Sequence, residues 1–379
     1  MQRVGTALTR RTPTTSLRSL VAKAPLDGRR WRSTSLFSCD TDNLKYASDP
    51  AYWKSLAPGL SIRGAHEIPS LSFGNAIRLD DGHLSQLRTD IAEEGYYHIS
   101  SDELNWSTDF ALLVRAAHSL QSKGWNSAWL LVFDDVWELC HKLGSILMDT
   151  VQASPVFDMY VFNIAKTTGK GWDIHRDRWD YDALGSAGSD ISATFHADGT
   201  PKYATVWLAL SEATPLNSCI YCLPKASDKF YMGPDRGQYY DPKLHAGVQE
   251  VRALPAKPGD VLAWSHRLLH WGSSSTARAA CPRVALSFSV AMPEFEKPLL
   301  SRGLRAMPLP TWEERLVLIA YHLAMYSSHE PLGQARTLVA TLLSRYRDLI
   351  TREGFEKLSF EVLHELFPRR RRRDPSSLF

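Results

Sequence analysis

The spacing of apolar residues changes twice along this chain and divides it into three parts. In the first part, Leu84, Leu87 and Ile91 recur at helical intervals within residues 81–94, and residues 128–151 repeat the pattern. Apolar residues three and four apart share one face of a helix. These two segments are therefore predicted to be amphipathic helices.

Shorter apolar runs occupy the middle of the chain. Each has the length of a strand rather than that of a helix. The runs are Tyr96–Ile99, Phe157–Ile164, Ala204–Leu210, Ser218–Leu223 and Val284–Val290. A β-rich central region is predicted between the first and last of these runs.

Helical spacing returns after Val290. Thr311 and Glu314 form a capping box, in which each side chain satisfies a free backbone amide of the other. Two amphipathic helices are predicted to follow, with apolar positions Leu316, Ile319, Leu323, and then Val339, Leu342, Tyr346 and Leu349. This C-terminal extension is expected to pack on the β core or to form a homodimer.

Charge is distributed unevenly along the 379 residues. The formal net charge is +3, yet residues 1–38 carry eight basic residues against one acidic residue, and Arg369–Arg373 adds five positive charges. The rest of the chain is therefore net negative, at −9. An acidic body repels a phosphate backbone, so nucleic acid is not expected as a partner. The arginine run is expected to be a solvated tail.

The N-terminal segment has the composition of an organelle transit peptide. Residues 1–38 are rich in Arg, Ser and Thr, and Asp27 is their single acidic residue. Mitochondrial import is the expectation, with a chloroplast or cytoplasmic location, or a basic leader without an import role, as alternatives. No apolar run reaches the roughly 18–20 residues of a membrane span, and five scattered Cys argue against a disulfide framework.

A His-x-Asp sequence is the strongest chemical signal. His175 and Asp177 follow the predicted strand 157–164, and His270 lies about ninety residues further on. Residues two apart on a strand point to the same side, and a second His from a distant strand would complete two imidazoles and one carboxylate around a metal. Such a facial set with open positions is typical of non-haem Fe(II) oxygenases.

Other histidines compete for these roles. His196 and Asp198 repeat the spacing, but the Gly-Thr-Pro sequence that follows indicates a turn rather than a strand. His266 lies four residues before His270 and would face the same way on a straight strand. The His175 pair and His270 are preferred.

Four short motifs occur in order between residues 73 and 290. They are His175–Asp177, Ala204–Asn217, Pro258–Val261 leading to His270, and Pro282-Arg283. Each is degenerate alone, but their order and spacing resemble the phytanoyl-CoA dioxygenase (PhyH-like) family of Fe(II)- and 2-oxoglutarate-dependent oxygenases. Two departures, the turn Pro224–Asp228 and an extra loop at 180–202, lie where such folds shape their substrate pockets.

The resemblance implies a double-stranded β-helix (jelly roll, cupin-like) core, so the expected fold is mostly β with helical additions (α+β). The implied domains are a transit peptide (1–38), an irregular arm (39–70), the oxygenase domain with bracing helices (71–300), a C-terminal helical extension (301–368) and a basic disordered tail (369–379).

The resemblance also implies Fe(II), 2-oxoglutarate as cosubstrate, and O2, with the His-Asp-His set as metal ligands. Arg283 would bind the far carboxylate of 2-oxoglutarate, because guanidinium and carboxylate form paired hydrogen bonds; Arg278 is the alternative. Trp207 matches a family position near the cosubstrate, although a Trp on an apolar strand is as often a core residue. Asn163 and Lys166 are candidates for the other carboxylate.

The implied reaction is hydroxylation of an unactivated C–H bond in a small or acyl-type substrate, with release of succinate and CO2. A related halogenase branch lacks the metal carboxylate, so Asp177 favours hydroxylation. A zinc hydrolase or cupin-like enzyme with the same triad, which would not need Arg283, and a non-catalytic binding protein stay open. Trp172, Trp179 and Trp271 are candidates for an apolar pocket wall or for packing.

Overall fold

Strands fill the middle of the chain, and helices precede and follow them. The computed structural model describes residues 43–63, 76–178, 191–233, 247–301 and 309–358, together with 362–363 and 366–367. All of them belong to a single unit comprising residues 37–379. The predicted transit peptide, the basic tail, Trp179 and the first half of the extra loop lie outside the described residues, and their assignments stay predictions.

The described strands form two antiparallel sheets. They are β1 (Tyr96–Ile99), β2 (Ser154–Ile164), β3 (Tyr203–Ala209), β4 (Ile220–Leu223), β5 (Arg252–Leu254), β6 (Val261–Ser265), β7 (Leu269–Gly272) and β8 (Arg283–Ala291). One sheet has the order β1-β6-β3-β8-β2 and the other β5-β4-β7. Every neighbouring pair is antiparallel. The prediction of an α+β chain with a strand-rich middle is confirmed.

The described α-helices lie before β2 and after β8. They are α1 (Asn43–Ala47), α2 (Pro50–Leu56), α3 (Asp81–Glu93), α4 (Ser101–Leu104), α5 (Phe110–Ser122), α6 (Asp134–Val151), α7 (Trp312–Met325), α8 (Arg336–Arg345) and α9 (Arg352–Glu356). None of these described helices is both long enough and apolar enough to cross a membrane.

The two faces of the five-stranded sheet bury different side chains, because successive residues of a strand alternate. Leu286 on β8 belongs to a large apolar core shared with the helices. Ala285, one position earlier, and Trp207 on β3 belong to a smaller core shared with the three-stranded sheet. Cys219 and Cys222 are free, buried thiols in this second core. The second core therefore joins the two sheets.

The C-terminal helices pack on the large core. α7 begins at the predicted capping box: Thr311 Oγ1 accepts from the amide of Glu314 (3.3 Å), and Glu314 Oε2 accepts from the amide of Thr311 (2.8 Å). Residues 314–324 are all buried, and α7 contacts β2 and α8. A helix buried all round is an interior element, whereas the spacing predicted a single apolar face. Dimerisation through these helices stays a prediction.

Two predicted helices are shorter than expected. The segment 128–151 begins as a 3₁₀-helix, Ser127–Val132, before α6 starts. Leu349, predicted to continue the second C-terminal helix, lies instead in a 3₁₀-helix after α8 has ended. Apolar spacing does not distinguish the two helix types over a single turn.

The interval 39–70, predicted to be an irregular arm, contains α1 and α2. Pro50 occupies the first turn of α2, and the side chain of Asp49 accepts from the amide of Ala51. Pro suits the first helical turn and Asp suits the N-cap. Trp53 of α2 is fully buried. This helix is stabilised by its N-cap and by burial of one aromatic side chain, and it lacks the regular apolar spacing that would have predicted it.

A buried ion pair joins α6 to α7. Oδ1 of Asp134, a fully buried carboxylate, lies 2.6 Å from Nη2 of Arg315, whose side chain is 2 % exposed. Arg315 also donates to the carbonyls of Val132 and Pro310. Removal of one member of such a pair leaves the other charge buried and uncompensated.

We predict that Asp134→Asn lowers the free energy of unfolding by about 3–5 kcal/mol, because the buried Arg315 guanidinium loses the carboxylate of Asp134, which also pairs with Arg63. Urea unfolding followed by circular dichroism measures the change. Glu356→Gln, which breaks an exposed pair with Arg352, is the control and should leave the midpoint nearly unchanged. Equal midpoints for the two variants would contradict the prediction.

Candidate metal centre

Residues 170–175 run beside β7 and extend the three-stranded sheet. Antiparallel bridges join Lys170 to Ser274 and His175 to His270. The two histidines exchange two backbone hydrogen bonds of 3.0 Å each. Directly opposed residues project to the same face of a sheet, and the two imidazole ring centroids are 4.3 Å apart.

Asp177 completes a three-ligand group with the two histidines. Its Oδ1 lies 3.5 Å from Nε2 of His175 and 3.6 Å from Nε2 of His270. The candidate ligand atoms all lie within 4.8 Å of one another, and both Asp177–imidazole distances are below the roughly 4.4 Å that one ion at about 2.0–2.2 Å from each atom can span. The structure thus brings together the three ligands predicted from sequence.

Backbone carbonyls orient both imidazoles. Nδ1 of His175 lies 2.6 Å from the carbonyl oxygen of Asp173, and Nδ1 of His270 lies 3.0 Å from that of Leu268. A carbonyl can only accept, so Nδ1 carries the hydrogen in each ring. Nε2 therefore keeps its lone pair and points to Asp177, as a metal ligand must.

The second carboxylate oxygen of Asp177 is held by the large sheet. Oδ2 accepts from Thr205 Oγ1 (2.6 Å) and from Trp264 Nε1 (2.8 Å). Thr205 and Trp264 are directly opposed on β3 and β6. Oδ1 is left to face the histidines. Neither donor was predicted from sequence, because only strand register places them together.

The electrostatics of the group suit metal binding. Burial acts to raise the pKa of the Asp177 carboxyl, but its interactions with the two imidazoles and Thr205 outweigh that effect and hold the pKa well below its usual range. Burial lowers the pKa of His270 to about 4, against the opposing attraction of Asp177. At neutral pH the carboxylate is charged and His270 is neutral, the forms that bind a metal ion.

Arg283 is a buried cation without a carboxylate partner in the described part of the chain. It is the first residue of β8 and 3 % exposed, and its guanidinium carbon lies 5.5 Å from the centre of the Trp207 ring. Its Nε and the Trp207 Nε1 are both buried without an acceptor among the described residues. Burial lowers the pKa of Arg283 to about 10. An unpaired buried cation is costly unless an anion joins it.

Arg283 and the ligands share one inner face. Thr205, which binds Asp177, and Trp207, which lies against Arg283, are two residues apart on β3 and so project to the same side. The structure places Arg283 beside Trp207, and their cosubstrate-binding roles stay predictions.

The two candidates for the other carboxylate of the cosubstrate lack such support. Asn163 is opposite Val284, which belongs to the helix-facing core, so the register puts it on the face away from Arg283. Its Nδ2 is buried without an acceptor among the described residues. Lys166 is exposed after β2, and no described contact joins it to the ligands. Their roles stay predictions.

His266, the competitor for the third ligand, has other partners. It is 1 % exposed, and its Nδ1 lies 3.2 Å from the Tyr203 carbonyl oxygen while Nε2 lies 3.0 Å from Thr194 Oγ1. Both ring nitrogens are therefore in use within the fold, and His266 is not part of the three-ligand group.

The remaining sequence alternatives also lie elsewhere. His196 and Asp198 form a turn closed by a hydrogen bond from Gly199 to His196. Arg278, the alternative to Arg283, is exposed. Trp271 stacks on Tyr221 with ring centroids 5.9 Å apart. Of the described tryptophans flanking the motifs, this one has a packing role.

Trp172 has a different setting, beside the metal ligands. Its ring centroid lies 6.1 Å from that of His175, 5.6 Å from that of Phe162 and 5.4 Å from that of Tyr326, and His329 packs at 3.6 Å. Tyr326 and His329 follow α7, about 150 residues further along the chain. Neither residue is predictable from the sequence, because no local pattern marks a side chain that reaches a distant site.

Two glycines allow residues 170–175 to approach β7. A Cβ on Gly171 would lie 2.5 Å from the Cα of Gly272 and from Oγ of Ser218, and a Cβ on Gly272 would lie 2.9 Å from the Cα of Gly171. Carbon atoms in contact need about 3.5–4.0 Å. A side chain at either position would push the backbones apart, and His175 away from His270.

The sequence profile of the phytanoyl-CoA dioxygenase (PhyH) family matches residues 89–284, just over half of the chain. The matched region includes the three ligands and Arg283. This chain belongs to the phytanoyl-CoA dioxygenase family. The predicted cofactors, Fe(II), 2-oxoglutarate and O2, are those of the family and are confirmed at that level, and the His-Asp-His group is a suitable donor set for the iron. No curated protein matches the chain in a sequence search.

The solved structures that match this chain are distant from it in sequence. The epimerase SnoN in complex with Fe3+, alpha ketoglutarate and nogalamycin RO is 17 % identical, with a TM-score of 0.41, over 61 % of this chain and 95 % of that chain. AviO1 from Streptomyces viridochromogenes Tue57 is 15 % identical, with a TM-score of 0.42, over 58 % and 99 %. EctD from S. alaskensis with 2-oxoglutarate and 5-hydroxyectoine is 13 % identical, with a TM-score of 0.41, over 64 % and 89 %.

We predict that Gly171→Ala weakens Co(II) binding at least about 10-fold, the lower range for disturbed ligand orientation, because the added methyl separates His175 from His270. Titration followed by visible absorption measures the affinity. The control is Gly144→Ala in α6, where nothing lies within 4 Å of the new Cβ. The control should keep wild-type affinity, and equal affinity in Gly171→Ala would contradict the prediction.

A pH dependence follows from His266. Burial lowers its pKa to about 3, only partly opposed by the Tyr203 carbonyl, whereas the unfolded value is about 6.5. The unfolded chain thus binds the proton more readily, and the stability contributed by neutral His266 is present above pH 6.5 and lost as the pH falls toward 3.

We predict that His266→Gln in the metal-free protein reduces the slope of unfolding free energy against pH, between pH 6 and 4, by up to about 1.4 kcal/mol per pH unit. Urea unfolding at pH 7, 6, 5 and 4 measures both slopes, and identical slopes would show that His266 is not the group responsible.

Proposed function

We propose that this protein is an Fe(II)- and 2-oxoglutarate-dependent oxygenase that hydroxylates an unactivated C–H bond of a small or acyl-type substrate. The observation that carries the proposal is a two-His, one-carboxylate group on the same inner face as the buried guanidinium of Arg283, whose Nε has no acceptor among the described residues. The three-ligand group leaves open positions on iron, and the Arg283 guanidinium offers paired donors to a carboxylate. A zinc hydrolase needs the first feature but not the second.

The residues of the site have separate tasks in this proposal. His175 and His270 hold the iron through Nε2, and Asp177 holds it through Oδ1. Arg283 binds the far carboxylate of 2-oxoglutarate, and Trp207 lies against the same guanidinium. When bound, iron and 2-oxoglutarate supply the oxidation of the substrate by O2, with release of succinate and CO2. The apolar side chains of the second core keep water from these polar groups.

A double-stranded β-helix is the fold we propose for this site. The chain alternates between the two sheets, with β3 in the large sheet, β4 and β5 in the small one, β6 in the large, β7 in the small and β8 in the large. Such alternation between two packed antiparallel sheets is typical of jelly rolls. Metal ligands and Arg283 then face the space between the sheets.

The surroundings of Trp172 support an apolar contact surface for the substrate. Phe162 and Tyr326 contact its ring beside His175. Tyr326 lies outside residues 89–284, the part matched by the family profile. We therefore assign substrate selection partly to the chain after β8, which lies beyond the part matched by the family profile.

Anaerobic titration tests the function of the full-length protein. Addition of Fe(II) and then 2-oxoglutarate should produce a visible metal-to-ligand charge-transfer band, because the cosubstrate coordinates the iron directly. Folded protein without this band would favour the zinc hydrolase or the binding protein instead. Asp177→Ala, which removes the carboxylate ligand, should abolish the band.

We predict that Arg283→Ala raises the dissociation constant for 2-oxoglutarate roughly 100-fold, because a bond between charged groups contributes about 1.5–3 kcal/mol. Fe(II) binding should be retained, since Arg283 is not a ligand. The charge-transfer band, followed as 2-oxoglutarate is added, measures the constant. Arg278→Ala removes an exposed arginine five residues away and should behave as wild type. Unchanged 2-oxoglutarate binding in Arg283→Ala would exclude the assigned role.

A further inference from the structure

Arg176 stands between two metal ligands and makes its contacts behind them. Its side chain is 4 % exposed, and Nη1 lies 2.7 Å from Oδ2 of Asp228, a side chain that is fully buried. The same nitrogen donates to the backbone carbonyl of Arg267, which lies three residues before the ligand His270. The Arg176 side chain thus connects the segment that carries the first two ligands to the turn that precedes the third ligand.

A second buried arginine connects this region to residues 225–233, here called the strap. Arg267 is 1 % exposed. Its Nε donates to the carbonyl of Tyr231 (3.0 Å), and Nη2 donates to those of Phe230 (3.1 Å) and Gly233 (3.2 Å). Asp228 belongs to the strap, and its Oδ1 accepts from the amide of Phe230 (2.9 Å). Both arginines are therefore tied to the same nine residues.

Asp228 connects the strap to the metal ligands. The turn Pro224–Asp228 departs from the family pattern, and the sequence suggested an effect on the substrate pocket alone. In the fold, the last residue of that turn forms a buried ion pair with the middle residue of the His-x-Asp motif. The departure is thus coupled directly to the metal ligands.

Stability alone is a weak reason for a buried ion pair at this place. Apolar side chains of similar volume often replace such a pair without loss of stability. Orientation is a stronger reason, because contacts outside the ligand set determine how well the ligands fit a metal. The backbone bridge between His175 and His270 joins the two chain segments that carry the ligands. The hydrogen bond from Arg176 to the Arg267 carbonyl is a second connection between the same two segments.

We propose that Arg176 and Asp228 are positioning residues, whose buried ion pair holds His175 and Asp177 in the arrangement that binds iron. This role rests on the proposed function, because it assumes a metal at the three ligands. Neither residue belongs to the three-ligand group. The strap, which carries Asp228, consequently contributes to metal affinity.

Co(II) binding to the full-length chain tests the role without turnover, cosubstrate or substrate. The affinity reports the ligands, and the visible spectrum of Co(II) reports their number and geometry. Asp228→Asn keeps the shape of the side chain but leaves Arg176 without its counter-charge. We expect Co(II) binding to weaken about 10- to 100-fold, the range found for contacts that orient ligands, with an altered spectrum.

A double variant separates orientation from folding. Arg176→Met with Asp228→Leu removes both charges and fills the same space, so stability should recover. We expect Co(II) binding to stay weak, because the hydrogen bond from Arg176 to the Arg267 carbonyl is lost as well. This variant decides the question if Asp228→Asn does not fold. Wild-type affinity and spectrum in the folded double variant would overturn the proposal.

The matched control is Asp134→Asn, the same substitution in the buried Arg–Asp pair between α6 and α7. It should lose stability yet bind Co(II) about as tightly as wild type. An equal loss of affinity in this control, or wild-type binding by folded Asp228→Asn, overturns the positioning role alone. Absence of Co(II) binding by the wild-type chain would overturn the proposed function and the positioning role together.

Discussion

The close antiparallel contact between residues 170–175 and β7 is the constraint on which the metal centre depends. Gly171 and Gly272 let the two backbones approach, and the paired hydrogen bonds of His175 and His270 set their register. Because strand side chains alternate, a slip by one residue would turn one imidazole to the opposite face. Without this added segment, the three-stranded sheet would carry one ligand, and Asp177 would have no fixed place beside it.

The large sheet contributes to stability with one face and to the site with the other. Leu286 and every second residue of β8 pack with the helices, whereas Thr205, Trp264 and Arg283 project toward the small sheet. A rigid sheet places polar groups more accurately than loops do. This division explains how strands that are almost wholly buried can still hold a carboxylate ligand and present a cation, since the polar groups occupy only the inner positions of the alternation.

The candidate site was predictable to the extent that its residues form short motifs. The His-x-Asp spacing, the later His270 and the position of Arg283 at the start of an apolar strand are all visible in the sequence. Thr205 and Trp264 were not predictable, because their meeting depends on the register of β3 against β6. The same holds for Asp228, whose partner lies 52 residues away. Such contacts arise from burial of the whole chain and leave no local signal.

Local chemistry in the sequence determined where α3, α7 and the strands β1, β2, β3, β4 and β8 form, and which side chains are able to bind a metal. The capping box at Thr311 is an example, since all of its hydrogen bonds lie within four residues. Only the tertiary structure decided that α7 is buried all round, that residues after it reach Trp172, and which groups orient Asp177. The reason is that periodicity and capping act over a few residues, whereas strand pairing and burial join residues far apart in the chain, and their outcome depends on every element that competes for the same core.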